Sequence, residues 1–241
     1  MPEPRILVII PTYNERDTIP VVIDAVFAAL DEANVLVVDD ASPDGTGATV
    51  DKIAASNPRV HVLHRAGKLG LGSAYVEGFW FALDHGYDII FEMDADMSHD
   101  PRHLPAFIAA IEGGADVAVG SRNIPHGRVE GWGLFRTVLS KGGSLYARSI
   151  LGVPIRDLTT GFKAFSRRAL EIVIANEIQS NGYSFQIETT YRALCCGLRV
   201  VEVPIVFVDR RVGRSKMNHR IFLEAVGMVW KLRIEALRGR I

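Results

Sequence analysis

The chain alternates short, continuous apolar runs with longer segments in which apolar residues recur every three or four positions. The runs are Ile6–Ile10, Val35–Val38, Val60–Leu63, Ile89–Met93 and Val117–Val119. They are rich in β-branched residues and bounded by turn chemistry, so they predict strands buried on both faces. Helical spacing fills the intervals: Thr18–Leu30, Thr49–Ala55, Gly72–His85 and Leu104–Glu112. Asp17 stands where an N-cap would for the first of these, and Ser42–Gly47 is turn chemistry. This β-α-β-α order predicts an α/β fold: a Rossmann-like, mostly parallel sheet with helices on both faces. After residue 123 the rhythm loosens. Gly127, Gly131 and Gly133 predict a loop, Arg136–Leu151 a helix, and Val200–Val203 and Ile205–Val208 extended segments around Pro204. The chain turns helical again from about His219, and no repeat or low-complexity linker divides it.

In parallel sheets of this kind, ligands bind beyond the carboxyl ends of the strands. The polar residues after each run should therefore converge. They are Thr12-Tyr13-Asn14-Glu15, Asp39-Asp40, Asp94-Ala95-Asp96 and Ser121-Arg122. Asp94 and Asp96 are two apart at the end of a strand, so their carboxylates can face one cation. Oxygen ligands with no nearby Cys and no paired-His motif favour magnesium or manganese over zinc. Gly67-Lys68-Leu69-Gly70-Leu71-Gly72 fits neither the Walker pattern nor the dinucleotide fingerprint. Its glycines instead predict a tight turn and close helix packing.

Composition narrows this picture only slightly. With 241 residues, 48% of them apolar, the chain suits one α/β domain with an ample core. A net charge of −1 gives no reason to expect a nucleic-acid partner. Cys195 and Cys196 carry no metal or disulfide-scaffold pattern, which suits buried, reduced thiols in the cytoplasm. No apolar stretch approaches the roughly 20 residues of a membrane span, so a cytoplasmic protein with at most a peripheral membrane contact is expected.

Several motifs carry a resemblance. Ile9-Ile10-Pro11-Thr12-Tyr13-Asn14-Glu15, Val37-Val38-Asp39-Asp40-Ala41-Ser42-Pro43-Asp44-Gly45-Thr46 and Met93-Asp94-Ala95-Asp96 resemble the family 2 glycosyltransferases of the GT-A fold. The likeness is closer to the dolichol-phosphate mannose synthases and their bacterial polyprenol-phosphate counterparts. It continues through Gly70-Leu71-Gly72, Gly120-Ser121-Arg122, Asp157 to Phe162, Gly182 to Glu188 and Arg210 to Lys216. It thus spans nearly the whole chain in order. The resemblance implies a nucleoside pocket at Pro11, Tyr13, Glu15, Val38 and Asp40, and a diphosphate and metal site at Asp94, Ala95 and Asp96. It implies phosphate contacts at Arg122, Arg210 and Lys216, and an acceptor-phosphate site at Arg136 and Ser140. Some relatives carry Gln as a further metal ligand where this chain has Ser98, which is shorter and would bind through water or not at all. His99 reads as a supporting group.

The expected activity is transfer of mannose from GDP-mannose to a polyprenyl (dolichyl) phosphate with Mg2+ or Mn2+ as cofactor. A cation on Asp94 and Asp96 would act as Lewis acid for the leaving diphosphate, with Arg210 and Lys216 adding charge where it develops. A phosphate acceptor is already an anion near neutrality, so direct displacement with inversion needs no dedicated base. It needs positioning by cations such as Arg122, Arg136 and Lys141. Arg210, Arg211, Arg214 and Lys216, with Gly213 among them, predict a basic loop closing over the donor.

Residues 1–218 are expected to form the catalytic domain, with 219–241 an amphipathic helix of the same unit. Arg220, Glu224, Lys231, Glu235 and Arg238 share one face, with Phe222, Val226, Val229, Trp230 and Leu237 opposite and Arg233 intruding. That apolar face is read either as packing on the domain or a partner, or as lying in a bilayer interface. From Arg199 to Ile241, ten Lys/Arg against four Asp/Glu suit an anionic membrane surface or a membrane-anchoring protein. Two alternatives stand beside this reading: UDP-glucose as donor, and a nucleotide-binding scaffold without turnover. A nucleotide-dependent regulator or an oxidoreductase has no supporting motif.

Overall fold

The structure is a computed structural model. It describes residues 3–178, 180, 182–209, 219–239 and 241, without the side chains of 134–136, 183 and 219–225. Five strands follow the apolar runs: β1 (Ile6–Thr12), β2 (Asn34–Asp39), β3 (Val60–His64), β4 (Ile89–Glu92) and β5 (Val117–Ser121). Four helices alternate with them: α1 (Ile19–Ala29), α2 (Thr46–Ser56), α3 (Leu71–Asp84) and α4 (Leu104–Glu112). Then come β6 (Arg128–Glu130), α5 (Leu134–Leu151), β7 (Lys163–Ser166), α6 (Arg167–Val173), α7 (Gly182–Cys195), β8 (Val200–Pro204), β9 (Val206–Val208) and α8 (His219–Leu237).

The main sheet has the order β3-β2-β1-β4-β7-β5-β8. All its pairings are parallel except those of β7, which runs antiparallel between β4 and β5. The expected mostly parallel α/β sheet is therefore present, with one reversed strand that the sequence reading did not foresee. Along β1, Ile6, Val8 and Ile10 pack with α1 and α4, whereas Leu7 and Ile9 pack with α3 and α7. This is the two-sided burial that a continuous apolar run requires. A third cluster joins α5, α7 and α8 through Ala147, Leu151, Tyr191, Val229 and Leu232. Helix α8 thus docks on the domain by a stripe of spacing three and four.

Three local expectations need correction. Cys195 and Cys196, expected to be buried, are exposed where α7 ends. Asp17 does not cap α1: its side chain is exposed and pairs with Arg16. The backbone N–H groups of Thr18 and Ile19 donate instead to the Glu15 carbonyl, and Pro20 removes another orphan donor from the first turn. In α8, Val229 is buried but Trp230 and Leu237 are exposed at 53% and 72%. The helix carries two apolar stripes, and the core takes only the one containing Val229 and Leu232.

Packing between α3 and β1 is close. A Cβ at Gly78 would lie 2.7 Å from Ile9 Cγ2 and 3.1 Å from Ile9 Cδ1. Gly78→Ala is expected to destabilise the fold by about 1–3 kcal/mol, as overpacking of a full core does. Urea unfolding checks this, and a gain in stability would contradict the close fit.

Candidate active site

The strand ends are joined into one scaffold by side-chain hydrogen bonds. The Thr12 hydroxyl donates to Asp39 Oδ1 at 3.0 Å, and Ser42 donates through its N–H to Asp39 Oδ2 at 3.0 Å. Asn14 N–H donates to Ser42 Oγ, and Glu15 N–H to Thr46 Oγ1, both at 3.0 Å. The loop after β1 is therefore pinned to the loop after β2. Thr46 in turn donates to Asp44. Burial pushes the Asp44 carboxyl up, but hydrogen bonds from Thr46 and Arg16 outweigh it and hold it below its usual range. Non-glycine residues with left-handed φ lie in the loops after β1, β2 and β4: Asn14 (62°), Ala41 (52°) and Met97 (61°). Such conformations cost energy and persist where surrounding contacts fix them.

Asp40 is set by a second network. Its Oδ2 accepts from the N–H groups of Leu69 and Gly70, each at 3.1 Å, and its Oδ1 from Arg65. Arg65 is buried and also donates to Glu77 at 2.9 Å and Ser73 at 2.7 Å. The glycine-rich segment is thus a turn closing on a carboxylate, and Gly70 takes a φ of 105° that a side chain would resist. Nothing in the sequence reading flagged Arg65, whose partners are scattered along the chain. Lys68 places its ammonium 3.9 Å from the Tyr13 ring centroid, a cation–π contact at the rim.

At the end of β4, Asp94 and Asp96 both line the cleft. Asp96 Oδ1 accepts from the Ser98 N–H at 3.0 Å and from its hydroxyl at 2.5 Å. Ser98 is buried and stands behind Asp96 rather than in the cleft, so its hydroxyl orients the carboxylate. His99 Nδ1 accepts the Asp94 backbone N–H at 3.1 Å. That bond places the neutral ring's proton on Nε2, 3.8 Å from Asp94 Oδ2. The ring stacks on Phe162 at 4.9 Å, so His99 supports the carboxylates from below. Among the described residues, no group of three or more His, Cys, Asp or Glu side chains is arranged to hold a metal ion. The donor set is two carboxylates, which suits a hard cation that completes its shell with substrate phosphate and water.

Arg122 is buried beside the cleft in a bidentate pair with Asp157: Nε to Oδ2 at 2.7 Å and Nη2 to Oδ1 at 2.8 Å. It also donates to Thr159 Oγ1 at 3.0 Å. Burial pushes the Asp157 carboxyl up, but the Arg122 charge and hydrogen bonds win and hold it below its usual range. Deeper still, Lys163 on the reversed strand donates to the Gln186 carbonyl at 2.8 Å, to Gln186 Oε1 at 2.6 Å and to Thr189 Oγ1 at 2.8 Å. Its ammonium lies 3.9 Å from Glu92 Oε2. Burial lowers the Lys163 pKa to about 8 and raises that of Glu92 to about 7.

These parts enclose one continuous cleft of ≈ 430 Å³. Pro11, Tyr13, Glu15 and Asp40 line one end, Asp94, Ala95 and Asp96 the middle, and Arg122 and Ser140 the far side. Of the strand-end residues expected to converge, Thr12, Tyr13, Glu15, Asp40, Asp94, Ala95, Asp96 and Arg122 line the cleft, whereas Asn14, Asp39 and Ser121 do not and take part in supporting hydrogen bonds. Of the residues the resemblance assigned to the nucleoside pocket, Pro11, Tyr13, Glu15 and Asp40 line the cleft but Val38 does not: its side chain is fully buried under α3, because β2 points alternate residues into opposite cores. Beyond Ser140 the cleft turns apolar between α5 and α8, where Leu139, Tyr146, Ala147, Val226 and Val229 line it. Arg210 and Lys216, with the rest of the expected basic loop, lie outside the described residues, as does the side chain of Arg136. Sequence reasoning missed Asp157, Gln186 and Lys163 as members of the site's wall. Only Asp157 and Gln186 fell within the quoted motifs.

A sheet of this order, with a carboxylate pair at the end of a central strand and a polar-to-apolar cleft, has the architecture of a GT-A glycosyltransferase. Its structural neighbours include glucosyl-3-phosphoglycerate synthase from Mycobacterium tuberculosis in complex with UDP, at TM-score 0.67 and 21% identity over 95% of this chain and 80% of that one. The same enzyme in complex with Mn2+, UDP-glucose and phosphoglyceric acid matches at TM-score 0.63 and 22% identity, covering 98% and 79%. The chain belongs to glycosyl transferase family 2, whose model matches residues 7–173. Two curated relatives are each 47% identical. One is the polyprenol monophosphomannose synthase of Mycolicibacterium smegmatis, over 100% of this chain and 90% of the relative. The other is the undecaprenyl-phosphate mannosyltransferase of Micrococcus luteus, over 98% and 99%.

Proposed function

We propose that the chain transfers mannose from GDP-mannose to a polyprenyl phosphate, with inversion, at a membrane surface. The observation that carries this reading is the change of character along one cleft. A polar end bounded by Tyr13, Glu15 and Asp40 leads past Asp94 and Asp96 to an apolar end between α5 and α8. A sugar nucleotide suits the first part and a lipid-linked phosphate the second. The two mannosyl-transferring relatives, at 47% identity over essentially the whole chain, support the same sugar and the same acceptor class. GDP-mannose as the donor rests on the family resemblance alone.

Asp94 and Asp96 would hold a divalent cation, Mg2+ or Mn2+, which would neutralise the diphosphate as it leaves. The other tasks fall to protein groups. Asp40, locked by Arg65 and the glycine turn, shapes the nucleoside end. Ser140 faces the acceptor from α5, and Arg136 stands one helical turn before it on the same face. Arg210 and Lys216 add positive charge over the phosphates. Arg122, already paired with Asp157, holds the wall between donor and acceptor and presents part of a guanidinium to the cleft. The acceptor phosphate is an anion at neutral pH and attacks the anomeric carbon without a base.

The test mixes purified chain, labelled GDP-mannose, polyprenyl phosphate and Mg2+ or Mn2+, and follows label into the lipid phase. Metal-dependent label is expected. Label from UDP-glucose instead would keep the chemistry and replace the donor. Nucleotide binding without turnover of any donor would contradict the enzymatic reading.

Among the described residues, no helix is long and apolar enough to cross a membrane. A peripheral contact is proposed instead through Val138 and Leu145 of α5 and Trp230, Ile234 and Leu237 of α8, all exposed. Replacing Trp230 and Leu237 by serine is expected to lower binding to anionic vesicles, measured by sedimentation, at least tenfold, because tenfold is about 1.4 kcal/mol and burying one large apolar side chain is worth about 1.5–3 kcal/mol. Unchanged sedimentation would assign this stripe to a protein partner.

A further inference from the structure

The buried wall of the cleft contains a donor whose orientation is fixed but unused. Gln186 is 2% exposed, and its Oε1 accepts from Lys163 Nζ at 2.6 Å. An ammonium can only donate, so the atom facing Lys163 is the oxygen and the amide cannot flip. Nε2 is therefore held on the other side, and no described protein group makes a hydrogen bond of sound distance and angle with it. The amide lies near enough to Glu92 to help offset the burial of that carboxyl, but no hydrogen bond of sound distance and angle joins either Glu92 oxygen to a described donor. Gln186 lines the cleft beside Gly161. A Cβ at Gly161 would lie 3.3 Å from Gln186 Nε2 and 3.6 Å from Asp94 Oδ1, so the glycine keeps open the space between the amide and the carboxylate. Leaving a buried N–H unmatched costs free energy that native proteins ordinarily avoid, unless a ligand supplies the acceptor.

The order of the sheet says which part of a ligand reaches this point. The nucleoside end stands over β2 and β1, and the carboxylate pair over β4. Next comes β7, whose Lys163 holds Gln186, and then β5 with Arg122. A sugar nucleotide laid along these strand ends places its diphosphate at Asp94 and Asp96 and its hexose one strand further, between the diphosphate and the acceptor. We infer that Gln186 Nε2 donates a hydrogen bond to a hydroxyl oxygen of the transferred hexose, and that Lys163 serves as the clamp that aims it. This inference rests on the proposed transferase reading and adds to it the group that reads the sugar.

The test compares the affinities of the full-length chain for GDP and for GDP-mannose by calorimetry with Mg2+ and no acceptor. Gln186→Glu keeps an oxygen for Lys163 and removes the donor. It is expected to weaken GDP-mannose about tenfold and to leave GDP within about twofold of the parent. Thr189→Val removes another partner of Lys163 without touching the cleft, and both affinities are expected to hold. Equal loss for GDP and GDP-mannose in Gln186→Glu would move the contact to the phosphates and overturn the inference. The same discrimination lost in Thr189→Val would reduce Gln186 to a packing role and also overturn it. If UDP and UDP-glucose bind in place of the guanine pair, the donor assignment fails while the same comparison still judges Gln186. Binding of no sugar nucleotide at all removes the ground for both.

Discussion

Asp96→Ala is expected to lower transfer into the lipid phase by roughly 10³-fold, the scale of losing a preorganised charge at a developing anion. Asp96 and Asp94 are the two carboxylates at the centre of the cleft, and Ser98 fixes the Asp96 oxygen through two hydrogen bonds. Among the described residues, nothing nearby replaces it. His99 has its Nδ1 occupied by the Asp94 N–H and its ring stacked on Phe162. Ser98→Ala is expected to have a much smaller effect, because the carboxylate survives and only its orientation loosens. The two variants together separate a ligand from its support. Equal loss in both would make Ser98 a ligand in its own right, and near-wild-type transfer by Asp96→Ala would remove the carboxylate pair from the chemistry. Unchanged thermal unfolding of Asp96→Ala is the control for folding.

Asp157→Asn is expected to destabilise the chain by about 3–5 kcal/mol, the cost of stranding one half of a buried ion pair. The substitution would take the bidentate carboxylate from a buried guanidinium that lies 5.6 Å from the Trp132 ring centroid and 5.2 Å from that of Phe207. The sign of the pH dependence follows from the carboxyl being held below its usual range. A depressed carboxylate contributes stability that is fully present above its unfolded value, about 3.9, and is lost as pH falls through the lower folded value. The parent should therefore lose stability on acidification in that window, and the variant should lose correspondingly less. Urea unfolding at neutral pH and at about pH 3, below the unfolded value, measures both quantities. A variant as stable as its parent at neutral pH would show that the pair merely offsets its own desolvation.

What the sequence disclosed follows from how each feature is encoded. Strands β1, β2, β4 and β5 are continuous apolar runs that end in carboxylates or an arginine, so both the sheet and the site at its edge could be read locally. Strand β7 could not. It is short, and it carries Lys163, which in isolation reads as a surface charge but is wholly buried on Gln186 and Thr189. The reversed strand therefore lay hidden in the weakest stretch of the pattern. Arg122 was visible, but its partner Asp157 is 35 residues away. Pairing of that kind is a property of the fold, and no spacing announces it. Val38 shows the opposite failure: a motif residue beside the right loop whose side chain the strand's two-residue alternation turns into the core. In α8, helical periodicity identified apolar positions correctly but assigned to one face what the structure divides between a buried and an exposed stripe.

The central claim is that a phosphate, rather than a hydroxyl, receives the sugar. Nuclear magnetic resonance of the purified lipid product tests this most directly, through the linkage of the phosphorus and the anomeric configuration of the mannose. The account predicts a mannosyl phosphodiester with configuration inverted relative to the donor. A sugar joined to a hydroxyl oxygen, or a phosphodiester with configuration retained, would contradict it.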